Sequence, residues 1–386
     1  MSIDNMENVV CTGIGVICPA GIDKHTFCSS IIRGEHYEDD QLYKEDCFSV
    51  INQRGIIFAD DSIWMVKTLR RKTYTTRMSE LALAAGIQAL SDADFLLKDY
   101  DPAKIGVVVG TGYGNFASQN EVLQSLLENK AKSIPPRSFS RVIHNEPGGV
   151  LAIELNLQGV NITVSQGEAS AEIALCCAVQ FLKSHYAETI IVIGVDEYHP
   201  SIHSYLQNNR KISDFDVFRK GYIAGEGAGA LLLETKRQAK DRGASIYGEI
   251  VDFSIKHNDI ISSVNEVLSV TGISKKQVDY IISDADNSFF RDKWEMDGLK
   301  QALEEDFYLI PIGSIGPIIG RFPAFGVIRT AALLLSMHSK ILPQTFNLKN
   351  RYSACVLPPV QRYILQSCFV PSSSTISIII KKGDDG

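Results

Sequence analysis

The chain has 386 residues, 45% of them hydrophobic, with a formal net charge of -7. That length exceeds what a single core usually supports, so two packed units are expected, and the apolar content is too high for a disordered chain. The negative charge speaks against nucleic acid as partner. No run of about 18 apolar residues occurs, so no helical membrane span is expected. The opening Met1-Ser2-Ile3-Asp4-Asn5-Met6-Glu7-Asn8 lacks a basic n-region and does not read as a signal peptide.

In chain order, Val9 to Gly15 reads as a strand entering a glycine turn. The basic run Lys67, Arg70, Arg71, Lys72 and Arg77 is a local exception to the acidic balance; it reads first as a solvated approach to a helix. That helix is predicted over Met78 to Ala89, with Leu81, Ala82 and Ala85 on one side. Ile105 to Val109 is a buried strand closed by Gly110, Gly112 and Gly114. Ala171 to Ser184 is an apolar helix and Thr189 to Val195 a continuous apolar strand. The second half is read more loosely: strands at Gly248 to Phe253 and Tyr280 to Ser283, helices at Trp294 to Leu303 and Val327 to His338, and a last strand at Thr375 to Lys381. Strands alternating with helices predict layered α/β. Two halves of similar order, 1–245 and 246–386, point to an internal duplication.

The glycine clusters Gly110-x-Gly112-x-Gly114 and Gly225-x-Gly227-x-Gly229 have the wrong spacing for a dinucleotide fingerprint; tight turns and close backbone approach explain them better. The eight cysteines, at positions 11, 18, 28, 47, 176, 177, 355 and 368, form no C-x-x-C pair, so no metal centre is predicted. They read as reduced, mostly buried thiols of a cytoplasmic protein. No cofactor is predicted.

Three segments carry a resemblance. Val10-Cys11-Thr12-Gly13-Ile14-Gly15-Val16, the long run Phe215-Asp216-Val217-Phe218-Arg219-Lys220-Gly221-Tyr222-Ile223-Ala224-Gly225-Glu226-Gly227-Ala228-Gly229, and Leu342-Pro343-Gln344-Thr345-Phe346-Asn347 resemble, in order, motifs of the β-ketoacyl synthase family of the thiolase superfamily. The resemblance spans nearly the whole chain. It implies a thiolase-like five-layered αβαβα fold with internal duplication, and a dimer whose interface carries the substrate tunnel.

Four positions depart from the family. Thr163-Val164-Ser165 is followed by Gln166-Gly167-Glu168-Ala169-Ser170, which puts Glu168 where the family has its cysteine nucleophile. Asp284 replaces one histidine, with Asp292 and Glu295 keeping the register. In Gly316-Pro317-Ile318-Ile319-Gly320-Arg321, Gly316 stands for the lysine and Arg321 for the second histidine. Ser372 to Thr375 replaces a flexible glycine loop. A thiolate attacks thioesters well and leaves well, whereas a carboxylate does not hold an acyl chain in the same way. Arginine stays protonated at neutral pH and shuttles no proton. None of the eight histidines lies at the two family positions; His144, near the dimer-facing loop, reads as structural.

With no catalytic residue in place, the chain most resembles the chain length factor of type II polyketide synthases. That resemblance implies a chain that is not an enzyme by itself but part of an acyltransferase complex. Its partner would be an active ketosynthase subunit, in a heterodimer whose tunnel limits polyketide chain extension. Acyl carrier protein would be met mainly through the partner, and the growing polyketide chain would enter the tunnel. Tunnel and interface candidates are Phe116, Gln119, Val122 and Leu123, by size and helical spacing on the segment Asn115 to Leu127. Alternative readings are a malonyl-carrier decarboxylase, an enzyme using Glu168 and Asp284 as a carboxylate pair, and a non-catalytic scaffold.

Overall fold

The computed structural model describes residues 7–33, 75–129, 134, 136–202, 225–285, 289–339, 345–347, 350–353 and 362–383. Lys67 to Lys72, Phe215 to Ala224, Leu342 to Gln344, Asp286 to Ser288, Cys47, Cys355, His36 and His203 lie outside the described residues. The N-terminal half contains β1 (Val9–Ile17), α1 (Lys24–Arg33), α2 (Arg77–Asp92), β2 (Ile105–Gly110), α3 (Phe116–Asn129), α4 (Phe139–Val142), α5 (Glu146–Leu155), β3 (Asn161–Val164), α6 (Ser170–Lys183), β4 (Thr189–Asp196), β5 (Gly227–Thr235) and α7 (Lys236–Asp241). Then come β6 (Gly248–His257), α8 (Ile260–Thr271), β7 (Val278–Ile282), α9 (Phe289–Leu303), β8 (Ile312–Gly313), α10 (Gly316–Ile319), α11 (Gly326–Ser339), β9 (Thr345–Asn347), β10 (Asn350–Ser353), β11 (Tyr363–Phe369) and β12 (Ser374–Lys382).

Ten strands form one sheet in the order β3-β2-β4-β5-β1-β6-β12-β11-β7-β8. Read from each edge inward, both halves have the same order: third, second, fourth, fifth, first. The pairings repeat as well. In each half the second strand is parallel to its two neighbours, and the fifth is antiparallel to the first and fourth. The two copies meet where β1 pairs antiparallel with β6. This is the internal duplication of the thiolase-like fold.

Three apolar clusters separate three helical layers. One, with Leu81, Ala85 and Leu151, lies under α2 and α5. Another, with Val264, Leu268 and Leu299, lies under α8 and α9. The third joins strands of both halves to α6 and α11, through Ala174, Leu175, Ile328 and Leu333. The five layers follow. α11 is buried from Gly326 to Met337 and α6 along most of its length, so both are largely apolar, unlike a surface helix with one apolar stripe.

Glycine explains how closely α2 sits on β1. A Cβ at Gly15 would stand 2.0 Å from the carbonyl oxygen of Ala85, and one at Gly13 would stand 2.1 Å from that of Ala89. Side chains there would push the helix off the sheet. Thr76 starts α2 by accepting the Ser79 amide at 3.2 Å. The described cysteines carry no disulfide. Among the described residues no helix is long and apolar enough to cross a membrane.

Candidate functional site

The strand β3 ends at Val164, and a single turn at Gly167–Ala169 leads into α6. Gly167 takes φ +57°, and the Ser170 hydroxyl closes the turn on the Gly167 carbonyl at 2.6 Å. Glu168 is thereby held at the N-terminus of α6, where unpaired amides and the helix dipole favour an anion. Its side chain is 34% exposed.

Asp284 follows β7 and is 1% exposed. Arg321 follows Gly320, whose φ is +74°, after the short α10 that Gly316 opens. The Arg321 Nη2 donates to Glu168 Oε2 at 3.0 Å, and its Nη1 donates to the Asp284 carboxylate at 3.3 Å and carbonyl at 3.1 Å. Three of the four family-replacement side chains therefore meet. Gly316 supplies only backbone to α10.

Two further arginines complete the cluster. Arg291, in the first turn of α9, donates through Nη1 to Glu168 Oε2 at 2.8 Å and through Nη2 to Asp284 Oδ2. Its Nε donates to the Phe369 carbonyl at 3.0 Å, tying α9 to the end of β11. Arg329 on α11 is fully buried; it donates to Asp284 Oδ1 at 2.9 Å and to Glu172 Oε1 on α6. The guanidiniums of Arg321 and Arg329 lie over the Phe325 ring at 5.1 and 5.3 Å. Glu295 accepts the Asp284 amide at 3.0 Å.

Among the described residues, three cations thus face four carboxylates. Burial opposes ionisation at Asp284, but Arg291, Arg321 and Arg329 outweigh it and hold the carboxyl down at about 2. Glu168 is also buried against its charge, and Arg321 and Arg291 bring it below the usual carboxylate range. Glu295 goes the other way: burial, and then the Asp284 charge, pushes it up to about 7. Burial also raises Glu172 against the pull of Arg329, while Arg329 itself is stabilised as a cation by Asp284 and Glu172. The opposite outcomes have a geometric reason. Arg329 has two carboxylates, but Glu172 has one cation, and its Oε2 is buried with no hydrogen-bond partner. Burial therefore disfavours the ionised form of Glu172 and Glu295, while the arginines keep Asp284 and Glu168 ionised.

Cys368 on β11 lies at the centre. Its sulfur and carboxylate oxygens of Glu172 and Asp284 are all within 4.8 Å of one another. Burial, then the charges of Glu172 and Asp284, pushes the thiol well above its ordinary range. The donor types would suit a metal, but the guanidiniums already engage the two carboxylates and repel a cation.

Sequence reasoning missed Arg291, Arg329, Glu172 and Cys368. A signal existed for two of them. Glu172 and Arg329 are each a lone charge inside an apolar helix, and such residues are almost never fully buried unless paired. Nothing local marked Arg291 or Cys368.

The tunnel candidates lie elsewhere, on α3. Phe116 packs edge-on against His199, with ring centroids 5.2 Å apart. The Gln119 side-chain amide donates to the Val142 carbonyl at 3.1 Å. Val122 is half-buried and Leu123 is 54% exposed. The imidazole of His144 pairs with the Ser165 hydroxyl at 3.0 Å.

Residues 6–239 match the family model described as "Beta-ketoacyl synthase, N-terminal domain", and residues 249–349 match "Beta-ketoacyl synthase, C-terminal domain". The chain is 25% identical over 376 residues to 3-oxoacyl-[acyl-carrier-protein] synthase 2 of Synechocystis sp., covering 91% of this chain and 90% of that protein. It is likewise 25% identical over 378 residues to the protein of the same name from Vibrio cholerae, covering 89% of each. The solved ishigamide ketosynthase/chain length factor superposes with a TM-score of 0.83 at 18% identity, over 98% of this chain and 99% of that one. A type II PKS acyl-carrier protein in complex with its ketosynthase bound to the hexaketide gives a TM-score of 0.79 at 21% identity, over 98% and 99%.

These findings correct one expectation. The reading of a chain that is not an enzyme by itself is overturned: its relatives along nine-tenths of the sequence bear the name of an enzyme, and a buried thiol, Cys368, stands with Glu172 and Asp284. That reading weighed only the four replaced positions, and a cysteine brought in by β11 lay outside them. With both domain models matched in order on a duplicated ten-stranded sheet, the chain belongs to the β-ketoacyl synthase family.

Proposed function

We propose that this chain is one member of a ketosynthase pair that elongates carrier-bound acyl chains, and that it helps set chain length as a chain length factor does. The partner is an active ketosynthase subunit. The growing polyketide chain lies at the interface, and acyl carrier protein is met mainly through the partner.

The observation that carries this reading is a face that, among the described residues, has an open strand edge and exposed apolar side chains. Among the described residues β3 is an edge strand with no partner on its outer side, and Ile162 is 36% exposed. Beside it, α5, α4 and α3 pack in sequence and expose Ile153, Phe139, Leu123, Leu126 and Leu127. An open strand edge next to clustered apolar side chains invites another chain, and obligate pairs bury more than about 2,000 Å². Phe116, Gln119, Val122 and Leu123 lie on the same helix, α3, so a chain docked there can share a tunnel wall with it.

Co-expression with a ketosynthase and carrier protein from the same source organism tests it. The two ketosynthase-fold chains should co-purify, and Leu123→Ala or Phe116→Ala should lengthen the product while the pair stays intact. A chain that ignores the ketosynthase in pull-down would refute the reading. Cys368 favours a second reading, in which this chain itself carries the acyl group. An acyl adduct mapped to Cys368 by mass spectrometry after incubation with charged carrier would favour that reading instead.

A further inference from the structure

Arg291 and Arg321 reach the cluster from different elements, yet both donate to the same oxygen, Glu168 Oε2, at 2.8 and 3.0 Å. Their side chains are 9% and 2% exposed, whereas the Glu168 side chain is 34% exposed. The cations are fixed in the core, and the anion enters from the solvent side. Asp284 anchors each guanidinium independently of Glu168. Gly167, just before Glu168, is exposed at φ +57°, and nothing lies within 4 Å of the place a Cβ would take there.

We propose that Arg291 and Arg321 form a carboxylate-binding site that Glu168 fills from within the chain. Its ligand class is a small aliphatic carboxylate. Without Glu168, three guanidiniums would face Asp284, Glu172 and Glu295, and burial disfavours the ionised form of the last two. The vacated site would then hold excess positive charge, in a setting where charge-assisted bonds to carboxylate are at their strongest. Glu168 thus acts as a tethered self-ligand that keeps out free carboxylates.

Glu168→Ala removes the side-chain atoms that acetate supplies, a methyl carbon and a carboxylate. Thermal unfolding is followed in acetate and in acetamide at constant ionic strength. In the variant, acetate should raise Tm saturably by at least about 2 °C, as binding to the folded state alone requires, while acetamide does nothing. The parent should show no such rise. In Glu168→Ala/Arg291→Gln the rise should vanish. If the alanine variant fails to fold in plain buffer, recovery of folded protein in acetate, and not in acetamide, supports the site. A folded Glu168→Ala protein indifferent to acetate, an equal response in the parent, or a rise that survives Arg291→Gln would each overturn it. So would failure to recover folded variant in acetate.

Discussion

Replacing Arg329 with methionine is the sharpest test of the cluster's energetics. Arg329 is fully buried and pairs with Glu172 and Asp284. Asp284 keeps Arg291 and Arg321, so its share of the loss is small. Glu172 keeps no cation within hydrogen-bond distance among the described residues, and its Oε2 already lacks a partner. Stranding a buried charge in this way costs about 3–5 kcal/mol, a large part of a stability that totals roughly 5–15 kcal/mol. With a urea slope above about 3 kcal/mol/M for a chain of this size, the unfolding midpoint should fall by roughly 1 M at pH 8.

The loss should also depend on pH, with a definite sign. The folded-state pKa of Glu172 is raised already, and removing Arg329 raises it further. A raised carboxyl costs the fold stability only where the unfolded chain would already be ionised. The penalty is absent below the unfolded-state pKa and grows as pH rises through the folded-state value. Lowering the pH from 8 to 6 should therefore restore up to about 1.4 kcal/mol per pH unit. Glu172→Leu/Arg329→Met should cost less than Arg329→Met alone, because no charge is stranded. A midpoint for Arg329→Met within about 0.2 M of the parent, or a deficit equal at pH 8 and 6, would refute the reasoning.

Glu295→Gln keeps an acceptor for the Asp284 amide but removes the titration. Because the parent carboxyl sits at about 7, parent stability is lost from this group as pH rises through that value; the variant should gain on the parent between pH 5 and 8, and parallel midpoint profiles would contradict this. Gly326→Ala places a Cβ 2.1 Å from Glu172 Oε1 at the start of α11, so it should destabilise by about 1–3 kcal/mol and cost less on a Glu172→Ala background. Equal thermal shifts on both backgrounds would show that the carboxylate is not what the methyl group meets.

The sequence alone determined those parts of the fold that depend on neighbours in the chain. Continuous β-branched runs such as Thr189 to Val195 and Ile105 to Val109 can only be buried strands, and both are. The glycines after Val10 read as a turn, yet Gly13 and Gly15 lie within β1, where they let α2 approach closely. The position of Glu168 at the start of α6 was equally legible, because one turn fixes it. The start of α9 was less so: its first turn carries Arg291 and Asp292, which look like surface residues yet are buried. Tertiary structure alone decided the cluster. Its members come from α6, α9, α11, the end of β7, the loop after α10 and, at Cys368, β11, and no spacing along the chain relates them. A charge is tolerated inside a protein only when its partner arrives there too, and which elements meet is settled by packing. The enzyme expectation failed for the same reason: the replaced positions could be read along the chain, but a thiol carried in by a distant strand becomes visible only once the sheet is assembled.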